Sequence, residues 1–346
     1  MIANRFANNP ILTKNSIKPS SESLVIECVL NPGVFYFENR IWLLIRVAER
    51  PIQKAGLVSF PIINAQGEVE ILEYSVDDPK LDLSDARMVT YDGKTYLSTL
   101  SHLRLMCSND GFQFYEPDHL PTKIFGCGEL ETFGIEDCRV SFFENQYHLT
   151  FTQVSENGVG VGMMTTKNWV DFERHGMIIP PHNKDCALFE EKIGGKYYCL
   201  HRPSGHGLGG NFIWLASSNN LSQWGNHQCL LKTREHAWDS ARVGAGASPI
   251  KTNEGWLEIY HGADHDHRYG LGAFLLDLED PSKVLARSTL PIMEPKAPYE
   301  LTGFFGNVVF TNGHIVNGDN IHVYYGASDE VICEARLSIT EILKTL

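Results

Sequence analysis

The feature that most constrains this chain is a hairpin that recurs along it: a short apolar strand, a turn rich in Asn, Asp or Gly, then an aromatic strand. The turns are FENR at 37–40, YDGK at 91–94, FENQ at 143–146, IGGK at 193–196, NEGW at 253–256 and VNGD at 316–319. Each runs into an aromatic or β-branched segment, such as IWLLIR, YHLTF or IHVYYG. Asn, Asp and Gly adopt the positive φ that tight hairpins require, so these six sites read as hairpin turns. Further strands follow several of them, as in GVGVGMMTTKNWVDFERHG and FIWLASSNNLSQWGNH, which gives units of four strands over about 45–60 residues. No amphipathic helices intervene, so βαβ units are excluded. The pattern predicts an all-β fold, a β-propeller, as a single domain over residues 1–346 with one short C-terminal helix, where Ser338 and Glu341 form a capping-box pattern before LKTL.

Charge narrows the partners. With 29 basic and 42 acidic residues the net charge is −13, a surface that repels nucleic acid and anionic lipid. Any anion bound here needs a local cationic pocket. No run approaches a membrane span of ~20 apolar residues, and the opening MIANRFANNPILTKNSIKPS has no apolar signal-peptide core. A soluble, cytoplasmic protein is expected. The eight cysteines form no C-x-x-C pair and mostly sit in apolar strand-like runs, so they read as buried, reduced thiols.

A propeller gathers the residues of its inner strands around one axis. Polar residues lead the repeats here: Asn31, Asp85, Asp137, Lys184 with Asp185, the glycines 244 and 246, and Asn307. Asp137, in GIEDCRVSFF, opens an apolar strand where enclosure would raise its proton affinity and suit it to general-acid work. An ion pair of Glu136 or Asp137 with Arg139 is the structural alternative. Lys184, Arg202, Arg242 and His261 stand at equivalent ends of successive repeats. Gathered at one axis, they would clamp a compact dianion such as phosphate.

Other motifs carry less. HGADHDHRYG at 261–270 is rich in metal-ligating types but lacks an established ligand spacing, so no metal is assigned. GKT at 93–95 lacks the upstream glycine of a P-loop, and GVGVG and GHGLGG lack the strand-to-helix context of a dinucleotide site. Ser248 has no G-x-S-x-G elbow around it.

From NPGVFYFENRIWLLIR to YYGASD the chain resembles glycoside hydrolase family 130, the mannoside phosphorylases. The likeness is carried by IEDCRV, NKDCALFEEKIGGKYYCLHRP, IWLASSNNLSQWGNH, RVGAGASPIKTNEGWLEIYHGAD, YGLGAFLLDLEDPSKVLARS and YELTGFFGNVVF. The resemblance implies a five-bladed propeller. Since six hairpins are counted, residues 48–100 read as an inserted, blade-like segment. It further implies that Asp137 is the general acid, that Asn31, Arg46 and Asp329 hold the mannosyl unit, and that Lys184, Arg202, Arg242, His261 and Tyr269 bind phosphate. Cys138 stands where the family most often has proline, and Arg242 where many members have lysine.

The implied reaction is inverting phosphorolysis of terminal β-mannosides, β-1,2- or β-1,4-linked, to α-mannose 1-phosphate. Phosphate is the co-substrate and no cofactor is implied. The resemblance further implies that the proton passes through a sugar hydroxyl, so that Asp137 need not touch the glycosidic oxygen. SDARMV and SHLRLMCSNDGF are similar to the subgroup acting on β-1,2-mannosides, which favours that linkage and places Arg104, with His102, on the acceptor side. A strand capped by surface bases is the other reading of that pair. Two rival functions remain: a β-mannosidase, in which Glu258 or Asp264 would activate water, and a non-catalytic mannan-binding propeller. The sequence leaves a homo-oligomer open.

Overall fold

The computed structural model describes residues 2–85, 87–205 and 210–346. GHGLGG thus falls largely outside the described residues. The chain is all-β, its only α-helical segments being Pro298–Leu301 and Ile339–Leu343 among the described residues. Ser338 caps the second, accepting from the Glu341 N–H, as its capping pattern predicts. None of the described helices is long and apolar enough to cross a membrane.

Five antiparallel sheets follow one another along the chain. Their leading strands are Leu24–Phe37, Ile135–Phe143, Asn183–Leu188, Arg242–Ala245 and Val309–Asn317. The hairpin turns lie where the sequence puts them. Glu38 and Asn39 have φ of 50° and 57°, and Glu144 and Asn145 50° and 59°, the paired positive values of a two-residue hairpin loop. Five of the six turns lie between the leading strand and the second long strand of a sheet, while YDGK joins two short strands of a separate small sheet.

The leading strands are buried on both faces over most of their length, and their apolar side chains pack between neighbouring sheets. One cluster, including Trp42, Leu103, Leu149 and Trp169, packs the first sheet on the second. Comparable clusters join second to third, third to fourth and fourth to fifth. Ile26, Val29, Tyr324 and Ile332 then pack the fifth sheet against the first. The N-terminal strand Asn4–Arg5 adds to the fifth sheet, with Asn4 opposite Arg336.

The inserted segment lies between the strands Arg40–Pro51 and Leu100–Ser108 of the first sheet. It forms a two-stranded sheet, Leu57–Ile63 with Val69–Ser75, and a three-stranded one that includes Met88–Tyr91 and Lys94–Leu97. Ring contacts from Phe60 to Tyr74 and Tyr96, and from Tyr96 to Phe133, hold it together and against the second sheet. The Ile63 N–H donates to the Thr132 carbonyl at 2.8 Å, and Lys94 pairs with Glu156 at 2.6 Å.

All eight cysteines are free, as read from the sequence, but the expectation of burial fails at Cys127, which is exposed, and is only partly met at Cys229. Both lie outside the paired inner strands where apolar packing is continuous.

Candidate active site

Three leading strands break their ladders at candidate site residues or directly beside them. The register shifts between Leu30 and Gly33, between Glu136 and Arg139, and between Lys184 and Ala187. Inside these bulges Asn31, Asp137 and Asp185 take φ of 37°, 49° and 55°. A bulge re-aims one side chain out of the alternating pattern, and Asn and Asp tolerate the left-handed region better than other residues. Close backbone approach completes the arrangement. A Cβ on Gly326 would lie 2.2 Å from Asn31 Oδ1, and one on Gly244 2.5 Å from Asp185 Oδ2, so both positions need glycine.

The cleft so formed has a volume of about 360 Å³ and is lined by Asn31, Arg46, Asp137, Lys184, Asp185, Arg202, Arg242, Tyr269 and Asp329, with Arg87, Phe304 and Phe305 also contributing. Larger hollows exist, but the one lined by Pro180, His201, Phe212 and Trp214 contains none of these charged groups. Nearly the whole predicted set therefore converges from strands far apart in sequence.

Asp137 Oδ1 accepts from Asn31 Nδ2 at 2.9 Å and from Arg46 Nη1 at 3.3 Å, while Arg46 Nη2 donates to Glu136 at 2.7 Å. The enclosure expected to raise the proton affinity of Asp137 is present. Burial pushes its pKa up, but the Arg46 charge, the Asn31 amide, Arg139 and Lys184 outweigh it and leave the pKa below the ordinary carboxylate value. The neighbouring acid behaves oppositely. Burial, helped by the Asp137 and Glu136 carboxylates and opposed by Arg46, raises Asp329 to about 6.

That shift has a consequence for stability. Folded Asp329 keeps a proton that the unfolded chain releases near pH 4, so its contribution is fully present below that pH and is lost as pH rises through about 6. Asp329→Asn should therefore be more stable than wild type near pH 8 by about 3 kcal/mol, with the gap closing near pH 4. Urea melts at the two pH values measure it.

Arg139 does not pair with Glu136 or with the Asp137 carboxylate. It is buried and donates to the backbone carbonyls of Asp137, Ala245 and Gly246 at 2.9 Å each, and to Asp185 Oδ1 at 3.3 Å. Three leading strands are thereby tied together at the site. Asp185 in turn accepts from Arg202 Nε at 2.6 Å and lies 3.3 Å from His261 Nε2. The charges of Arg202, His261 and Arg139 overcome burial and hold its carboxyl well below the usual range.

The cations differ in how far they are already compensated. Arg202 is held by Asp185 and by Asn211 Oδ1 at 3.1 Å. Arg242 has no carboxylate partner among the described residues; its Nη1 donates to the Tyr269 hydroxyl at 2.9 Å, and its buried Nε has no partner. Lys184 lines the cleft with no ion pair or side-chain hydrogen bond among the described residues. Burial raises the Tyr269 pKa and keeps the phenol protonated, a donor beside Arg242.

Two of the expected binding residues stand elsewhere. His261 is fully buried behind Asp185, its ring 4.2 Å from that of Phe310, and does not line the cleft. Arg104 is likewise buried: it donates to the Lys18 carbonyl at 2.5 Å and pairs with Glu116 at 3.2 Å, beside His102 and Glu49. Its work is to anchor the N-terminal segment, because a strand interior turned it inward rather than to the surface or the acceptor side. Glu258 and Asp264 are also outside the cleft. Glu258 is buried beneath Gly246, whose N–H it accepts at 2.8 Å, and Asp264 caps its own loop through the N–H groups of Asp266 and Arg268. Among the described residues no three His, Cys, Asp or Glu side chains gather as a metal site.

The family model described as β-1,4-mannooligosaccharide phosphorylase matches residues 69–346. The chain is 44% identical over 348 aligned residues, 99% of its length and 98% of the relative's, to a β-1,2-mannobiose phosphorylase of Listeria innocua. It is 42% identical to a 1,2-β-oligomannan phosphorylase of a Thermoanaerobacter species, over 71% of this chain and 82% of that protein. The solved β-1,2-mannobiose complex of the Listeria innocua enzyme superposes with a TM-score of 0.94 at 43% identity, covering 100% of this chain and 99% of the other. The earlier resemblance is thus carried by the whole length, and the chain belongs to glycoside hydrolase family 130, the family of the mannoside phosphorylases.

Proposed function

We propose that this protein cleaves terminal β-mannosides by inverting phosphorolysis, with a short β-1,2-linked mannoside as substrate and α-mannose 1-phosphate as product. The observation that carries the reading is the pair of uncompensated cations, Lys184 and Arg242, set with Arg202 and Tyr269 in the cleft that holds Asp137. In a chain of net charge −13 such cations are costly to leave unpaired unless an anion completes them. The named substrates of the relatives support the β-1,2 linkage.

In this reading the five sheets are blades of a single propeller domain, and the cleft lies where their leading strands meet. Asn31, Arg46 and Asp329 hold the terminal mannosyl unit. Lys184, Arg202, Arg242 and Tyr269 hold phosphate, with His261 supporting Asp185 from behind. A phosphate oxygen forms the new bond to the anomeric carbon as the glycosidic bond breaks. The proton of Asp137 goes to the leaving oxygen, directly or through a sugar hydroxyl. Phosphate also readies that proton. Lys184 and Arg139 help keep Asp137 ionised in the free protein, and a bound dianion offsets part of their field, raising the proton affinity of Asp137 when it must act as an acid.

Hydrolysis would need a carboxylate placed to activate water. Glu258 and Asp264, the residues considered for it, lie outside the cleft. The eight free cysteines suit a reducing compartment, the cytoplasm. Incubation with β-1,2- and β-1,4-mannobiose, each with and without phosphate, tests the proposal. Mannose 1-phosphate formed only with phosphate is expected, faster from the β-1,2 substrate. Free mannose at equal rate without phosphate would reject it.

A further inference from the structure

The leading strands carry their candidate site residues toward one end and run into hairpin turns at the other, and a second hollow opens at the turn end. Its volume is about 400 Å³, and the first hairpin of each of the five sheets contributes to its lining. Tyr36 stands five residues beyond Asn31 on one strand, and Phe142 five beyond Asp137 on another. At about 3.3 Å per residue the hollow is thus roughly 15 Å from the cleft. The two share no lining residue.

The charge in this hollow is a carboxylate with no counter-ion. Glu190 Oε1 accepts from the Phe142 N–H at 2.8 Å, which fixes the group at the wall, while its Oε2 has no partner among the described residues. Other carboxylates of these hairpins are compensated: Glu191 pairs with Lys251, and Glu144 with Lys192 at 3.0 Å. His314 adds no positive charge. Burial lowers its pKa to about 4, so the ring is neutral at physiological pH, and it makes no hydrogen bond among the described residues.

Aromatic rings stand beside that carboxylate. Phe142 and Tyr147 are 4.7 Å apart between ring centroids, and the Tyr147 hydroxyl donates to the Tyr36 carbonyl, so the rings are anchored to one another. At the rim Tyr36 is 52%, Phe142 47% and Val316 39% exposed, an apolar border around a negative group. A carboxylate held among such rings without a counter-ion is costly, and aromatic faces attract cations. An anion would meet only a negative charge here. One carboxylate is too few ligands for a metal ion.

We infer that this hollow is a second binding site, for a small organic ammonium ion: Glu190 pairs with its charge, and Tyr36 and Phe142 pack against its alkyl groups. The test is equilibrium titration of the full-length protein with choline, and with the uncharged analogue in which carbon replaces the quaternary nitrogen, at one ionic strength. Wild type, Glu190→Gln and Phe142→Leu are compared. The glutamine keeps an acceptor for the Phe142 N–H, so folding is retained, and thermal melts check both variants. One saturable choline site is expected in wild type, weakened about tenfold or more in each variant, with the uncharged analogue bound about tenfold more weakly than choline. Choline bound equally by Glu190→Gln, bound no better than its uncharged analogue, or not bound by wild type would overturn the site.

Discussion

Asp137→Asn is expected to lose phosphorolysis of mannobiose by at least about a thousandfold in kcat while folding normally. The fold tolerates the change for a specific reason. At φ 49° Asn is as acceptable as Asp, and its amide oxygen can still accept from Asn31 and Arg46. What it cannot do is give up a proton. A substrate whose leaving group needs none, such as p-nitrophenyl β-mannoside, should therefore be spared much of the loss. If both substrates fall equally, or mannobiose turns over normally, Asp137 is not the acid.

Arg242→Ala is expected to raise the KM for phosphate by about 10- to 100-fold and to leave the KM for the mannoside nearly unchanged, the effect of removing a charge-assisted clamp. Arg202→Ala should shift phosphate in the same direction, but it also strips Asp185 of its 2.6 Å partner and so costs stability. Arg242, with no carboxylate to orphan among the described residues, gives the cleaner reading. Initial rates over a phosphate series at fixed mannobiose make the comparison. Equal increases in both KM values would place Arg242 outside the anion site.

The hairpins were legible because a two-residue loop demands positive φ, and Asn, Asp and Gly announce it locally. Convergence of Asn31, Asp137, Lys184, Arg202 and Arg242 was legible because each leads or ends a repeat. Less local facts were hidden. No local pattern marks the bulges that turn Asn31, Asp137 and Asp185 into the cleft, since a register shift depends on the partner strand. Arg139 looked like a neighbour's counter-ion, but its acceptors include carbonyls 107 and 106 residues away. The pKa direction of Asp137 was misjudged for the same reason: burial is readable from an apolar strand, whereas the Arg46 charge that reverses it comes from 91 residues earlier. Arg104 sits in a fully buried strand whose polar members face an inner network, a situation that its sequence neighbours do not distinguish from a surface cap.

Asn4–Arg5 zips onto Val331–Ser338 and, with the bridge from Leu12 to Ile332, makes a seam between the two ends of the chain. Asp329 lies just before the stitched strand, while Asn31 and Arg46 belong to the sheet on the other side of that join. The residues proposed to hold the mannosyl unit thus depend on a closure made at the outer edge of the fifth sheet, away from the cleft, and loosening it, as Arg5→Ala would by removing the Glu300 pair, should lower the melting temperature.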